Sequence, residues 1–318
     1  MQQPAIGSAS RQSEDDHRAR EIAPQPRIAA MTMSLDLSLI RRFLPRRRYR
    51  QPFELLDALV LEPAFKDEMR AFVIDLAEQL KGRKQLSSNP MILVRAPRGS
   101  GKTCLARALT SALFRLGALR REKPHEIWFG DLRAGYIGQS ERKSLDHCNA
   151  ALDGVLIIDD LLGLSGGFGQ DAFDTVRRFA VENQRRIVVF FENTPWRAEQ
   201  FFEACPHLEQ VFGRIIDFPA LSPVQLWDIF KRLAVQKWIW LPDGVEALLM
   251  PVLERAVVER VWPHGHWAGG REMDFLLETA LRLATERVRR SSGALVVPEV
   301  ELVDIVNALA KGSSFSAT

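Results

Sequence analysis

The sequence contains little cysteine: three residues in 318, at Cys104, Cys148 and Cys205. They are scattered, without the paired spacing of a zinc site or of a disulfide framework, which excludes a disulfide-rich secreted scaffold. Such usage is typical of a reducing compartment, and we expect the protein to be cytoplasmic. Cys104 lies just inside a predicted helix, where we expect a small buried residue.

Long apolar runs are absent as well, since none approaches the roughly 18 residues that a membrane span requires. Apolar residues make up 46% of the chain and charged residues 26%, the proportions of an ordinary globular protein. A chain of 318 residues is long enough for about two domains with full cores.

Net charge is only +3, but positive charge is concentrated in one segment. Six arginines lie between Arg41 and Arg50, namely Arg41, Arg42, Arg46, Arg47, Arg48 and Arg50. One interpretation is a patch for nucleic acid or an acidic partner, and the other, which we favour, is a solvated junction. Residues 1–50 are therefore predicted to be a disordered tail with an arginine-rich junction.

From residue 51 the chain alternates between helical patterns and short apolar runs. The runs begin at Met91, Glu126, Gly154, Arg186 and Arg214, and helical patterns separate them. Continuous apolar strands between helices indicate an α/β fold with a five-stranded parallel sheet sandwiched by helices, over residues 51–219. The apolar residues of 220–312 recur at helical spacing and predict a small all-helical domain, with no strand except one at 295–297. Residues 313–318 are predicted to form a flexible end.

Residues 96–103 read Ala-Pro-Arg-Gly-Ser-Gly-Lys-Thr, between a predicted strand and a predicted helix. This order matches a loop that binds the phosphates of ATP, with Ala96 in place of the usual first glycine. Lys102 is expected to reach the β- and γ-phosphates and to take part in catalysis, and the Thr103 hydroxyl to bind Mg²⁺. The predicted nucleotide-binding residues here are Arg98, Gly99, Ser100, Gly101, Lys102, Thr103 and Cys104.

A second acidic motif lies where the apolar run Gly154-Val-Leu-Ile-Ile ends in Asp159 and Asp160. Ligands of parallel sheets gather at the carboxyl ends of strands, so these carboxylates are placed to face Mg²⁺ and phosphate. We expect Asp159 to hold the metal through water and Asp160 to polarise the attacking water.

Together these motifs resemble the AAA+ ATPases. Within that superfamily the chain is most similar to the CbbX/CfxQ-type rubisco activases and the stage V sporulation protein K group, over about residues 55–290. The matching stretches are Asp131-Leu-Arg-Ala-Gly-Tyr-Ile-Gly-Gln, the strand ending at Asp160, Gly169-Gln-Asp-Ala, Glu182-Asn-Gln-Arg, Phe201-Phe202 and Asp217-Phe218-Pro219. The resemblance implies an AAA+ sheet domain followed by a helical lid domain, a hexameric ring and a polypeptide substrate.

The resemblance also implies roles for single residues. Val60 would pack on adenine, and Tyr136, Ile137 and Gly138 would form the pore loop that grips a threaded polypeptide. Asn193 matches sensor 1, which orients water near the γ-phosphate. Arg271 matches sensor 2, the lid arginine that responds to the nucleotide.

Each of these three sites has a simpler alternative. Tyr136 could be a turn residue beside glycines, Asn193 the cap of an Asn-Thr-Pro turn, and Arg271 an ordinary arginine at a helix start.

Two departures from the family pattern bear on hydrolysis. Asp160 replaces the usual glutamate and is one methylene shorter, and a misplacement of about 1 Å can cost on the order of a hundredfold in rate. The arginines that reach the neighbouring subunit's site align with Glu209 and Val211 here, and losing such an arginine costs about 10³–10⁵ in turnover.

The sequence therefore predicts a CbbX-like ATP-binding protein that remodels a protein target as a ring and hydrolyses ATP weakly. One alternative is a degenerate scaffold or regulatory subunit that pairs with an active AAA+ paralogue. A further alternative is a DNA-linked AAA+ loader that uses Arg41–Arg50.

Overall fold

The computed structural model describes residues 51–85, 89–132, 139–160, 167–262, 265–266, 269–292 and 299–311. A five-stranded sheet lies at the centre of the N-terminal part. Its strands are β1 (Met91–Arg95), β2 (His125–Trp128), β3 (Gly154–Asp159), β4 (Ile187–Asn193) and β5 (Arg214–Asp217). Their order is β2–β3–β4–β1–β5, and every neighbouring pair is parallel. The predicted five-stranded parallel sheet is confirmed.

Helices cover both faces of this sheet. They are α1 (Glu54–Ala58), α2 (Pro63–Leu80), α3 (Lys102–Arg115), α4 (Phe129–Leu132), α5 (Gln139–Ala151), α6 (Gly167–Glu182) and α7 (Pro195–Ala204), with a 3₁₀ helix at Pro206–Val211. Since all five strands are parallel, their carboxyl ends lie along one edge of the sheet, where β1 leads into the glycine-rich loop.

The core is divided between the two faces of the sheet, and the strands explain why. In β4, Val188 and Phe190 pack into the cluster formed with α2 and α3, whereas Val189 and Phe191 pack on the opposite side, where Phe173 of α6 lies. Successive side chains of a strand point to opposite faces, so a strand buried on both faces needs an uninterrupted apolar run.

A separate apolar cluster holds together four helices after the sheet. These are α8 (Pro223–Gln236), α9 (Val245–Glu259), α10 (Gly270–Ser292) and α11 (Leu302–Lys311). Helix α8 starts with Ser222 and Gln225 hydrogen bonded reciprocally, side chain to backbone, an arrangement that satisfies N–H groups at a helix start.

The expectation of no strand in this region outside 295–297 is wrong. A short antiparallel hairpin pairs β6 (Val261–Trp262) with β7 (Gly265–His266). Two-residue strands are too short to produce an alternating pattern in the sequence, which explains the miss. Residues 295–297 themselves lie outside the described residues. None of the described helices is long and apolar enough to cross a membrane.

Candidate nucleotide-binding site

The segment between β1 and α3 forms a tight loop whose backbone depends on two glycines. Gly99 has φ 70° and Gly101 has φ 99°, in the left-handed region that residues with a side chain rarely adopt. The Ser100 hydroxyl donates to the Pro97 carbonyl at 2.8 Å and closes the turn. Because α3 begins at Lys102, its free N–H groups and the positive end of its dipole are directed at the loop, which suits a phosphate.

Ala96, the residue that departs from the motif, is fully buried and belongs to the core on the α3 side of the sheet. Its N–H donates to the Asn193 carbonyl at 3.0 Å, which continues the pairing of β1 with β4. The methyl group of Ala96 therefore packs in the core.

Lys102 is folded back onto the loop. Its Nζ donates to the carbonyls of Ala96 and Pro97, both at 3.3 Å. Burial lowers the pKa of the Lys102 ammonium, while the carboxylates of Asp159 and Glu192 raise it. A bound phosphate would offer this ammonium stronger partners than two carbonyls.

Two carboxylates meet beside this loop, and one of them, Glu192, was not predicted. Asp159 ends β3 and lies in register with Glu192 on β4. Glu192 is 1% exposed, and its Oε2 accepts a hydrogen bond from the Thr103 hydroxyl at 2.7 Å. Burial raises the pKa of Glu192 to about 7, and the charge of Asp159 adds to this effect. Thr103, Asp159 and Glu192 supply hard oxygen donors of the kind that Mg²⁺ prefers.

Asp160 is turned towards α7. It has φ 68°, its N–H donates to the Glu192 carbonyl at 3.1 Å, and its carboxylate accepts from Arg197 Nη1 at 2.7 Å. Asp160 was predicted to polarise the attacking water. The Arg197 guanidinium, which the sequence did not reveal as a partner, competes with that water for the carboxylate.

Asn193 ends β4 and is 3% exposed. Its Oδ1 accepts from the Thr194 N–H at 2.9 Å, which is the turn cap considered as an alternative. Its Nδ2 makes no hydrogen bond within the described residues, so the amide has a donor to offer besides its role as a cap.

The start of α10 touches the loop through backbone atoms. The Gly270 N–H donates to the Gly99 carbonyl at 2.9 Å. A Cβ on Gly269, which has φ 59°, would lie 3.1 Å from the Arg98 carbonyl oxygen. This close approach accounts for the paired glycines that precede Arg271.

A cavity of about 710 Å³ lies between the loop, the segment before α2 and the helices α8 and α10. Val60 lines it with the loop residues Gly99 to Cys104, and Asp159, Glu192 and Arg271 complete its polar wall. Its lining also includes apolar side chains suited to a purine ring, namely Leu59, Leu61, Leu221, Ile229, Leu233 and Phe275.

The expectation that Cys104 is buried is wrong, because it is exposed and lines this cavity. In the first turn of α3, Leu105 and Ala106 face the core, and Cys104 does not. The wall of the cavity does not include Asp160 or Asn193 among the residues that the structure describes.

No protein-family model matches the chain. Stage V sporulation protein K of Bacillus subtilis is 27% identical over 194 residues, which cover 60% of each protein. A CfxQ homologue of Pyropia yezoensis is 26% identical over 239 residues, 72% of this chain and 77% of that protein. The ESX-3 secretion system protein EccA3 of Mycobacterium tuberculosis is 29% identical over 169 residues, but the match spans only 27% of its length and 52% of this chain.

Among solved structures, the crystal structure of the FIGL-1 AAA domain in complex with ADP has the same fold. It superposes with a TM-score of 0.58 at 15% identity and covers 82% of this chain and 85% of that one. In sequence the chain resembles the CfxQ and stage V sporulation protein K group, and in fold it resembles an AAA domain.

The positions that align with the trans arginines of AAA+ proteins lie in the 3₁₀ helix after α7. Glu209 is exposed there, whereas Val211 packs against the core. Arg214, the nearest arginine along the chain, pairs with Glu68 and lies over the Phe72 ring at 5.5 Å. Arg214 is thus engaged with α2.

Other segments singled out in the sequence lie outside the described residues. These are the pore loop, Tyr136, Ile137 and Gly138, and the arginine segment Arg41–Arg50.

Proposed function

We propose that the chain binds ATP with Mg²⁺ in this cavity and acts as a cytoplasmic AAA+ remodelling subunit with slow intrinsic hydrolysis. The observation that carries the proposal is the convergence of the glycine-bounded loop, Lys102, Thr103 and Asp159 on one cavity, whose lining also includes apolar side chains. The loop and the polar side chains offer N–H groups and an ammonium to phosphates and oxygens to a cation, while the apolar side chains offer a surface to adenine.

Each side chain has a distinct part in binding. Lys102 would exchange its two carbonyl partners for phosphate oxygens, and Arg271 would add a second positive charge from α10. Thr103 and Asp159 would hold Mg²⁺, which, when bound, neutralises charge that develops on the phosphates during transfer.

Slow hydrolysis is supported by what surrounds the residues expected to act on water. Asp160 is short and held by Arg197 at 2.7 Å, so its carboxylate is not free to orient a nucleophile. A glutamate at position 209 in place of an arginine would repel a γ-phosphate in a neighbouring subunit. Asn193 Nδ2 remains as a buried donor near the strand ends.

Assembly into a ring that acts on a protein target is proposed from the resemblance to the CfxQ group. Tyr136 would grip the target, so Tyr136→Ala should leave ATP binding intact and uncouple any hydrolysis from remodelling.

A second candidate is a scaffold or regulatory subunit that needs an active AAA+ paralogue. The same observations favour it, because a partner could supply the arginines that Glu209 and Val211 replace. A DNA-linked loader rests only on Arg41–Arg50, and it fails if DNA neither stimulates turnover nor binds in a salt-dependent manner.

The deciding experiment measures ATP binding and turnover of the full chain and of Glu209→Arg. Binding of a fluorescent ATP analogue with Mg²⁺, together with slow turnover that rises in Glu209→Arg, supports the proposal. Glu203→Arg, a charge reversal at another exposed glutamate, is the matched control and should change nothing. Failure of the wild type to bind the analogue would refute nucleotide binding, and rapid turnover by the wild type alone would refute slow hydrolysis.

A further inference from the structure

The buried carboxylate of Glu192 has a place in the cavity wall that the predicted ATP-binding motifs do not account for. It lies at the carboxyl end of β4, in register with Asp159 on β3, and lines the cavity together with Lys102 and Thr103. Its side chain is 1% exposed. A carboxylate removed from water is costly unless its oxygens find partners.

Only one of the two oxygens has a partner. Glu192 Oε2 accepts from the Thr103 hydroxyl at 2.7 Å, whereas Oε1 is buried and makes no hydrogen bond within the described residues. Buried polar atoms without a partner are few in folded proteins, and an ion that binds at the site is one of the recurring reasons for them.

The hydrogen bond also sets the direction of the Thr103 hydroxyl. Because the proton of Thr103 Oγ1 is directed at Glu192, the lone pairs of the same oxygen are left for another partner. The lining of the cavity thus includes Glu192, whose second carboxylate oxygen has no partner among the described residues, Thr103 with free lone pairs on its hydroxyl oxygen, and the carboxylate of Asp159.

We propose that Glu192 is a third oxygen donor of the Mg²⁺ site, and that with Thr103 and Asp159 it lets the chain bind a divalent cation before nucleotide. The proposal rests on the proposed function in placing Mg²⁺ beside the phosphate loop. It goes further by assigning Glu192 to the metal and by making cation binding independent of ATP. Two carboxylates and a hydroxyl match the preference of Mg²⁺ and Mn²⁺ for hard oxygen ligands.

The test is a Mn²⁺ titration of the full chain without nucleotide, in which the electron paramagnetic resonance signal measures the free ion. The wild type should bind one Mn²⁺ that Mg²⁺ displaces. Glu192→Gln retains an oxygen acceptor for Thr103 but loses the charge, and it should weaken Mn²⁺ binding about tenfold or more. Asp217→Asn is the matched control, a carboxylate that ends β5 on the same sheet edge and pairs with Arg95, and it should bind as the wild type does.

Two outcomes would overturn the assignment. One is a wild type that binds no Mn²⁺ without nucleotide, and the other is Mn²⁺ affinity in Glu192→Gln equal to that of the wild type. If that variant then also loses nucleotide affinity, Glu192 is a positioning residue for Thr103 only. Thermal unfolding in EDTA verifies that each variant is folded.

A nucleotide titration in the presence of Mg²⁺ separates this inference from the proposed function. If the wild type binds the fluorescent ATP analogue but not Mn²⁺ alone, the inference fails and the proposed function stands. If it binds Mn²⁺ but no nucleotide, the proposed function fails while the cation site remains.

Discussion

The loop that would hold phosphates and the strand ends that would act on them differ in how their side chains are engaged. In the loop, Lys102 makes two long contacts with carbonyls, which a ligand can replace at little cost. At the strand ends, the Asp160 carboxylate is in an ion pair with Arg197, and one oxygen of Glu192 accepts a short hydrogen bond from Thr103. The comparison teaches that ATP binding and ATP hydrolysis need not be preserved together, because Lys102 lines the cavity whereas Asp160 is not among the described residues of its wall.

The largest expected effect is on the loop side. Lys102→Ala should weaken ATP binding about 10- to 100-fold, because hydrogen bonds to charged groups contribute about 1.5–3 kcal/mol each. Fluorescence titration with an ATP analogue measures it. Lys231→Ala, which removes an ammonium paired with Asp228 on α8, is the control and should bind as tightly as the wild type. Equal affinity in the two variants would place the phosphates elsewhere.

The second prediction concerns Glu192 at the strand ends and the pH dependence of the free energy of unfolding. The folded state holds the Glu192 proton up to about pH 7, whereas the unfolded chain releases it above about pH 4.5. Since the unfolded state then binds fewer protons, the free energy of unfolding should fall as pH rises between these values, by about 2 kcal/mol.

Urea unfolding in EDTA, without nucleotide, at pH 5 and pH 7.5 measures this difference for the wild type and for Glu192→Gln. The glutamine variant lacks the titrating group and should gain stability relative to the wild type at the higher pH. Glu199→Gln, at an exposed position, is the control. The prediction is contradicted if the difference in free energy of unfolding between Glu192→Gln and the wild type is the same at both pH values.

The third prediction tests the contact between α10 and the loop. Gly269→Ala and Gly117→Ala both place a methyl at positive φ, which costs about 1–2 kcal/mol of stability. At Gly117 nothing lies within 4 Å of the new methyl, whereas at Gly269 it meets the Arg98 carbonyl. Only Gly269→Ala should also weaken nucleotide binding severalfold, and a similar loss in both variants would show that the contact is irrelevant to the nucleotide.

The smallest expected effect is on turnover. Arg197→Ala removes the cation that engages Asp160 and should raise ATP hydrolysis by about threefold, on the order of what a partly exposed ion pair contributes. Phosphate release under saturating ATP is the measurement. Arg178→Ala, which removes a surface pair with Glu141, serves as control. Reduced turnover in Arg197→Ala would mean that this arginine assists hydrolysis.

Much of the fold could be predicted from the sequence because the strands are buried on both faces. A run such as Ile187–Phe191 leaves no polar position and therefore indicates a central parallel strand. The same signal could have found Glu192, a carboxylate that follows that run as Asp159 follows its own. The acidic motif predicted from the sequence lies on β3 alone, and it therefore does not include Glu192 on the neighbouring strand.

Other features of the site depend on contacts that local sequence does not encode. Arg197 and Asp160 are 37 residues apart, and their pairing follows from where α7 begins after β4. Nor does helical periodicity show that Cys104, one residue before the buried Leu105, faces a cavity. These contacts form between elements that are distant in sequence, and a pattern of residues along the chain does not predict them.

The hydrogen bond from the Gly270 N–H to the Gly99 carbonyl couples the position of the loop to the orientation of the long helix α10. Helix α10 has 23 residues, about 34 Å at 1.5 Å per residue, and the bond is at its first residue. A tilt of about 5° at this pivot would displace the far end of the helix by about 3 Å. A shift of the loop too small to disturb the sheet would thus be amplified at the distant end of α10 without any side chain at the pivot.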